Sequence, residues 1–159
     1  MLRRVTLLAA LVAVLTMVVA VAAWAATVNG TNDPDVLVGT NSEDEIRGFA
    51  GNDSIDALAD DDLVFGGAGN DTIFGREGED DLRGGAGNDE VRGGADNDFI
   101  VGGTGDDFLY GGGGDDEIDA VDGERGNDFV SCGTGFDFVE ADPGDFVSAN
   151  CEDVVRITT

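Results

Sequence analysis

Aspartate recurs at a spacing of nine residues along most of the chain. A carboxylate supplies hard oxygen ligands, and Ca²⁺ prefers six to eight oxygens from carboxylates and carbonyls. The spacing therefore predicts a row of ligands for divalent cations. The candidate metal ligands are twelve residues that keep this spacing apart from one three-residue shift: Asp35, Asp44, Asp53, Asp62, Asp71, Asp80, Asp89, Asp98, Asp107, Asp116, Asp128 and Asp137.

These aspartates belong to a nine-residue repeat, and they occupy its sixth position. Ten units run without a break from residue 30 to residue 119, for example GGAGNDTIF and GGAGNDEVR. After an insertion, assigned to 120–122, two more units cover 123–140. Position eight is a large aliphatic in all twelve units: Leu37, Ile46, Ile55, Val64, Ile73, Leu82, Val91, Ile100, Leu109, Ile118, Val130 and Val139. Twelvefold agreement in two positions makes the repeat the organising feature of the chain.

Each position of the unit has a physical reason. Glycine is common at positions one to four, where a tight turn needs positive φ and backbone carbonyls must approach closely. Position five is often Asn, which tolerates the left-handed region better than most residues. Positions seven to nine are expected to form a strand whose eighth side chain points inward.

The units resemble the GGxGxDxUx nonapeptides of RTX (repeats-in-toxin, hemolysin-type) proteins over about residues 30–140. The resemblance implies an all-β fold, a right-handed parallel β-roll (a β-solenoid) with two units per coil and about six coils. In such a roll, six residues of each unit form a turn and three form a short strand. It also implies several Ca²⁺ ions between turns on the same side, held by backbone carbonyls and the aspartates at position six.

The charge balance favours a bound cation. The formal charge is −26, with no His and only eight Lys and Arg residues, which argues against nucleic acid and anionic membranes as partners. Regular aliphatic positions and nine Phe residues disfavour simple disorder. Aspartates stacked about 4.8 Å apart would repel each other by about 3–4 kcal/mol. We therefore expect a largely unfolded chain that folds when calcium binds.

The first 25 residues have the pattern of a secretory signal peptide. A basic start at Arg3 and Arg4 precedes an apolar run over 5–22 and the small-x-small triplet Ala23-Trp24-Ala25. The alternative is an uncleaved N-terminal helix that anchors the protein at the cell surface, because about 20 apolar residues can span a bilayer. Cleavage predicts a secreted protein with no membrane insertion. The expected division is a signal peptide (1–25), a calcium-binding β-roll (26–140) and a C-terminal cap (141–159).

Beyond residue 140 the repeat decays, although Asp145-Phe146-Val147 echoes it. Cys132 and Cys151 are the only cysteines, and export favours a structural disulfide that ties the last coil to the cap. A metal-binding or nucleophilic role for either cysteine has no support, because no His is available.

The best-kept units predict the tightest calcium sites, between Asp71 and Asp89, Asp80 and Asp98, Asp89 and Asp107, and Asp98 and Asp116. Sites in 57–65 are doubtful because this unit has lost its leading glycines, and sites in 30–47 are doubtful because Pro34 and Glu43 lie in the turns. The insertion could interrupt the register before Asp128.

Three functions are compatible with these patterns. The first is an extracellular calcium-binding module with a structural or interaction role. The second is an adhesin or matrix protein that calcium stiffens. The third, an enzyme, is disfavoured because the repeat accounts for the acidic residues and no Lys or His accompanies them. Outward aromatics predict no continuous apolar stripe, although Phe99, Phe108 and Tyr110 could form a patch for a protein or surface partner.

Overall fold

The computed structural model describes residues 16–19, 25–123 and 127–157, and for 16–19 the backbone alone. The described residues contain β-strands and no helix. The strands are β1 Thr16–Val19, β2 Thr27–Asn29, β3 Asp35–Val38, β4 Glu45–Ala50, β5 Ser54–Ala59, β6 Leu63–Ala68, β7 Thr72–Glu77, β8 Asp81–Ala86, β9 Glu90–Ala95, β10 Phe99–Thr104, β11 Phe108–Gly113, β12 Glu117–Ala120, β13 Phe129–Thr134, β14 Phe138–Ala141, β15 Phe146–Val147 and β16 Asp153–Arg156.

The strands form two parallel sheets of eight strands each. Odd-numbered strands form sheet A and even-numbered strands form sheet B, so successive strands alternate between the two. Each strand pairs with the strand one coil later, for example Ile73 with Val91, which lies 18 residues further along the chain. The predicted parallel β-roll is therefore confirmed, with about seven coils rather than six.

The strands are longer than the family pattern implies. Most have six residues and run from position seven through position three of the next unit, as in Glu90–Ala95. The glycine-rich positions also pair across coils: Gly94 lies in register with Gly112. The expectation of three-residue strands is wrong because glycine backbones at positions two and three continue the parallel ladder.

The core lies between the two sheets and consists of the position-eight side chains. All twelve predicted aliphatics are fully buried, and Val28 at 2 % exposure extends the column by one coil. Position one also points inward and is usually glycine, with Ala57 and Cys132 as buried exceptions. Burial alternates along each strand because successive side chains of a strand point to opposite faces.

Both ends of the roll extend beyond the repeat units recognised in the sequence. At the N-terminal end β2 pairs with β4, and β1 pairs with β3. Strand β1 lies inside the segment predicted to be a signal peptide, of which the structure otherwise describes only Ala25. A signal-peptide role for residues 1–25 stays a prediction.

The C-terminal segment adds strands to both sheets. Strand β15 joins sheet A beside β13, and β16 joins sheet B beside β14. Cys132 and Cys151 form a disulfide, as expected. The bond attaches a buried position-one side chain of the last unit to the segment that follows it.

The turns use the left-handed region at positions two and four. Position-four Gly69 has φ 133°, and a Cβ there would lie 1.7 Å from the Gly51 carbonyl oxygen of the preceding coil. The Asn residues at position five do not adopt positive φ, so the reason given above for their presence is wrong. Their side chains instead link neighbouring coils: the Asn52 carbonyl oxygen accepts a hydrogen bond from the Asn70 backbone N–H, at 3.0 Å.

Phe49 occupies position two with φ 74° although it is not glycine. Because a left-handed conformation costs a non-glycine residue roughly 1–2 kcal/mol, Phe49→Gly should raise the free energy of unfolding by about 1 kcal/mol. The measurement is urea denaturation in saturating calcium. Phe136→Gly is the matched control, because Phe136 is also exposed but has no positive φ. Equal destabilisation by both substitutions would contradict the strain argument.

The outer faces carry arginines paired with acids and aromatic rings. The Arg83 guanidinium binds Asp81 at 2.8 Å and lies 5.7 Å from the centre of the Phe65 ring. On sheet A, the Arg92 guanidinium lies 4.9 Å from the centre of the Tyr110 ring. These contacts place positive charge on the two faces rather than at the turns.

The predicted aromatic patch is divided between the two faces. Phe99 belongs to sheet B, whereas Phe108 and Tyr110 belong to sheet A. On sheet A the rings of Phe108, Phe129 and Phe146 follow one another, with centroids 6.0 and 5.1 Å apart. The expectation of no apolar stripe is therefore wrong at this end of sheet A, because Phe146 belongs to a strand that the repeat did not reveal.

Candidate metal sites

The position-six aspartates form two ladders, one at the start of each sheet's strands. In each ladder the carboxylate of one coil accepts a hydrogen bond from the backbone N–H of the aspartate one coil earlier. The Asp89 carboxylate, for example, accepts from the Asp71 N–H at 2.8 Å. The A ladder contains Asp35, Asp53, Asp71, Asp89, Asp107 and Asp128, and the B ladder contains Asp44, Asp62, Asp80, Asp98, Asp116 and Asp137.

The insertion does not interrupt either ladder. The Asp107 N–H donates to Asp128 and the Asp116 N–H donates to Asp137, at 2.8 and 2.9 Å across 21 residues. Ala120, assigned to the insertion, is buried in strand β12 and pairs with Ala141. The three extra residues are therefore accommodated between Ala120 and Phe129, and the hydrogen bonds between ladder neighbours keep the lengths that they have in other coils.

Sequence analysis missed two acidic residues that continue the ladders. The Asp145 carboxylate accepts from the Asp128 N–H at 3.4 Å, and the Glu152 carboxylate accepts from the Asp137 N–H at 3.1 Å. Both precede an aliphatic by two residues, Val147 and Val154, as position six does in the repeat. The echo of the repeat at Asp145 was recognised in the sequence, but Asp145 was not assigned as a ligand, and spacings of 17 and 15 residues from the preceding coil concealed the continuation of the two ladders.

Most ladder carboxylates keep a second oxygen that has no hydrogen-bond partner. They are buried, with no more than 3 % exposure, so this oxygen has lost water without gaining a donor. An unpartnered buried carboxylate oxygen is costly unless a cation or donor meets it. The free oxygen is Oδ2 in nine residues: Asp53, Asp62, Asp71, Asp80, Asp89, Asp98, Asp107, Asp116 and Asp137.

Glycine at position one makes room for these oxygens. A Cβ on Gly66 would lie 2.5 Å from the Asp71 Oδ2 and 2.6 Å from the Gly84 carbonyl oxygen of the next coil. A side chain at Gly66 is thus excluded from a space that a carboxylate oxygen and a carbonyl oxygen both face, although Ala57 and Cys132 carry side chains at position one in two other units. Hard oxygens of these two kinds are the ligands that calcium prefers.

The first two units differ from the others in how their aspartates are satisfied. The Thr40 hydroxyl donates to the Asp44 Oδ1 at 3.1 Å, and the Thr40 backbone N–H donates to Oδ2. At Asp35, both the hydroxyl and the N–H of Thr31 donate to Oδ2. These hydrogen bonds supply part of what a cation would supply, although the Asp35 Oδ1 is buried without a partner. The weaker sites expected in 30–47 stay a prediction.

No positively charged side chain of the described chain contacts a ladder carboxylate. The four arginines in ion pairs, among them Arg76 and Arg83, bind acids of the outer faces. Arg156 donates to backbone carbonyls of Asp142 and Asp145. Within 25–123 and 127–157, no three Asp, Glu, His or Cys side chains converge as metal ligands do. A metal at the ladders would therefore take most of its ligands from the backbone carbonyls of the turns.

The eight ladder carboxyls from Asp62 to Asp128 have strongly raised pKa values. Burial is the main cause; the backbone N–H bond lowers the pKa and neighbouring carboxylates raise it. The pKa rises from 3.8 to about 8 for Asp62 and Asp98, to about 7 for Asp89, and to about 6 for Asp71 and Asp80. The fold therefore favours a neutral or cation-bound carboxyl at each of these positions.

The neighbouring charges differ between the two ladders. In the B ladder, after the effect of burial, acidic residues outside the ladder also raise the pKa: Asp60 acts on Asp62, and Asp61 and Asp96 act on Asp80. In the A ladder, burial and then other members of the ladder raise the pKa of Asp71 and Asp89, whereas Asp122 and Asp106, which lie outside the ladder, raise the pKa of Asp107. Outer acids thus act on both ladders, and at positions four and five they are more frequent beside the B ladder.

A parallel β-roll with two ladders of buried aspartates defines a repeat-built β-solenoid with oxygen-rich turns. The profile of the RTX calcium-binding nonapeptide repeat matches the chain in four copies, at residues 29–64, 56–91, 92–123 and 118–139. The matches cover more than half of the chain, and the chain belongs to this family. Family membership implies calcium binding. A comparison with curated proteins found no match. Across the described residues, no helix is long and apolar enough to cross a membrane.

Proposed function

We propose that this protein is an exported calcium-binding module that folds when calcium occupies the turns of its β-roll. The observation that carries the proposal is the set of nine buried Oδ2 atoms that have no partner. The ligands would be the position-six aspartates of both ladders together with turn carbonyls. Calcium, when bound, supplies the positive charge that the described side chains do not bring to the ladders.

The chain supports coupled folding through its own charges. Each ladder places carboxylates one above another, and their mutual repulsion opposes stacking of the coils. The position-eight core is a single column of aliphatics, and the outer faces carry only a few ion pairs. A metal site absent from the unfolded chain adds its binding free energy to folding.

Export is supported by the signal-peptide pattern of residues 1–25, by the Cys132–Cys151 disulfide and by the family, whose repeats are typical of secreted proteins. The calcium-free chain would be disordered inside the cell and would fold outside it. The role would be structural or one of interaction and not enzymatic, because the repeat is a structural calcium-binding fold. A calcium-stiffened adhesin or matrix protein is the alternative, favoured by the column of Phe108, Phe129 and Phe146 on sheet A, in which Phe108 and Phe146 are exposed.

Circular dichroism of the protein without residues 1–25 tests the proposal. We expect a coil spectrum in chelator and a cooperative gain of β signal as calcium reaches millimolar concentrations, with little response to Mg²⁺. Magnesium demands a smaller octahedral site and gives up its water reluctantly, which makes it the appropriate control. A fully ordered protein in chelator, or an absence of any calcium response, would sink the proposal. A pull-down with and without chelator separates an adhesin from a module without partners.

A further inference from the structure

The two edges of the roll that carry the ladders differ in charge. The A edge consists of the turns that lead into sheet A, and the B edge consists of the turns that lead into sheet B. At positions four and five, the six B-edge turns carry Glu43, Asp60, Asp61, Glu79, Asp96 and Asp115. The six A-edge turns carry only Asp33 and Asp106 at these positions. At these two positions, the B edge therefore has six acids and the A edge has two, over six turns each.

On the A edge, amides take the place of these acids. The Asn70 N–H donates to the Asn52 side-chain oxygen at 3.0 Å, and the Asn88 N–H donates to Asn70 in the same way. On the B edge the same bond is made by a carboxylate, because the Glu79 N–H donates to Asp61 at 2.9 Å. Asp and Asn therefore serve the same structural purpose at position five, and the difference between the edges is one of charge.

The B-edge acids border grooves that also reach the buried ladder. One groove of about 670 Å³ is lined by Asp61, Glu79 and the ladder residue Asp62. A second, of about 320 Å³, is lined by Asp115 and the ladder residues Asp80 and Asp98. These three ladder residues are at most 3 % exposed, and each has an Oδ2 without a hydrogen-bond partner. The unpartnered oxygens indicate a cation site at the ladder, and the outer acids line the grooves that lead to it.

We propose that the outer carboxylates of the B edge set the calcium concentration at which the roll folds and make it depend on ionic strength. The inference rests on the proposed function, calcium-coupled folding, and adds which residues tune it. Negative charges beside the B ladder raise the local concentration of divalent cations and strengthen their binding. Salt screens charges exposed at the surface much more than buried ones, so this contribution fades as ionic strength rises. On the A edge, where amides replace most of these acids, calcium binding should depend much less on ionic strength.

The test is a pair of triple substitutions that remove equal charge at different places. The B-edge variant is Asp60→Asn, Asp61→Asn and Asp96→Asn, which keeps the hydrogen-bond acceptor at each position. The control variant is Asp33→Asn, Asp119→Asn and Glu140→Gln, which removes three acids away from the B edge. Calcium titrations followed by circular dichroism are made on both and on the unsubstituted protein. Each titration is made at about 10 mM and at about 500 mM KCl, where the Debye length falls from about 30 Å to about 4 Å.

At low salt the B-edge variant should need at least about fivefold more calcium than the control for half-maximal folding. At high salt the two should agree within about twofold. A reciprocal variant, Asn52→Asp with Asn70→Asp and Asn88→Asp, should need less calcium than the unsubstituted protein at low salt only.

Equal midpoints for the B-edge and control variants at low salt would overturn the inference, because net charge alone would then set the threshold. A difference that persists unchanged at high salt would also overturn it, since it would indicate lost ligands or altered packing. If the unsubstituted protein does not fold with calcium at all, the proposed function itself fails. If calcium folds the protein but the B-edge and control variants have equal midpoints, only the role of the B edge is refuted and the proposed function stands.

Discussion

Alanine at position 89 is expected to raise the calcium concentration needed for folding by about tenfold or more, equivalent to about 1.4 kcal/mol or more. Asp89 is 1 % exposed, and it accepts from the Asp71 N–H while its own N–H donates to Asp107. Asp89→Ala removes one proposed ligand and leaves the Asp71 N–H buried without an acceptor, which costs about 1–3 kcal/mol. Calcium titration by circular dichroism measures the shift.

Asparagine at the same position should act in two opposite directions. Its side-chain oxygen can still accept from the Asp71 N–H, but the buried negative charge is gone. Asp89→Asn is therefore expected to increase β structure in chelator and yet to weaken the response to calcium. If Asp89 were purely structural, Asp89→Asn would not have opposite effects, because the substitution would destabilise the protein both in chelator and in calcium.

Two comparisons make this prediction specific. Asp106→Ala is the matched control, because Asp106 is an exposed position-five acid next to the ladder, and removal of its surface charge should raise the midpoint far less than Asp89→Ala does. Asp62→Ala is expected to have a smaller effect than Asp89→Ala. The turn before Asp62 is strained, with φ 90° at Leu58 and 76° at Asp60. Equal midpoints for Asp62→Ala and Asp89→Ala would contradict the predicted ranking of sites.

Low pH should partly substitute for calcium in promoting folding. The pKa values of the eight ladder carboxyls from Asp62 to Asp128 rise from 3.8 in the unfolded chain to between about 6 and about 8 in the roll, chiefly through burial. Because the folded pKa is the higher one, protonation favours the fold. This stabilisation is complete below pH 3.8 and is lost as pH rises through about 6 to 8. In chelator, β structure is therefore expected to appear as pH falls from about 9 to about 5.

When calcium is present, protonation of the same carboxyls should oppose folding instead of favouring it. Protons compete with the metal for the carboxylates, so the calcium midpoint should rise as pH falls through the same range. The double variant Asp62→Asn and Asp98→Asn removes the two carboxyls with the highest pKa, each about 8. Its acid-induced folding in chelator should begin at higher pH, because fewer charges remain to be neutralised. A chelated protein that stays unfolded from about pH 9 to about pH 5 would contradict the account.

The nine-residue repeat was sufficient to predict the roll, because its units resemble the RTX nonapeptides, whose fold is a β-roll. Asp at position six and an aliphatic at position eight recur together because each coil repeats the same contacts with the next. The sequence therefore predicted both ladders and the whole core column, from Leu37 to Val139. The disulfide was also predicted, because the sequence holds two cysteines and its N-terminal pattern predicts export, which favours their pairing.

The irregular parts of the roll could not be predicted from the period. Asp145 and Glu152 continue the ladders although their spacing is not nine, since a turn can lengthen or shorten without moving the strands that it joins. Position-five Asn residues were explained by their backbone preference, whereas the structure uses their side chains to bridge coils. Such a bond joins residues 18 apart and appears only when coils are stacked.

The order of residues by itself determined the repeat, the inward aliphatics and the aspartates that could hold calcium, because local periodicity specifies which side chains share a face. Only the tertiary structure decided that each of these aspartates gives one oxygen to the preceding coil and that most keep the other free. It also decided that most acids at positions four and five lie together on the B edge of the roll. Alternate units point to opposite edges, so residues nine apart are separated in space and residues eighteen apart become neighbours.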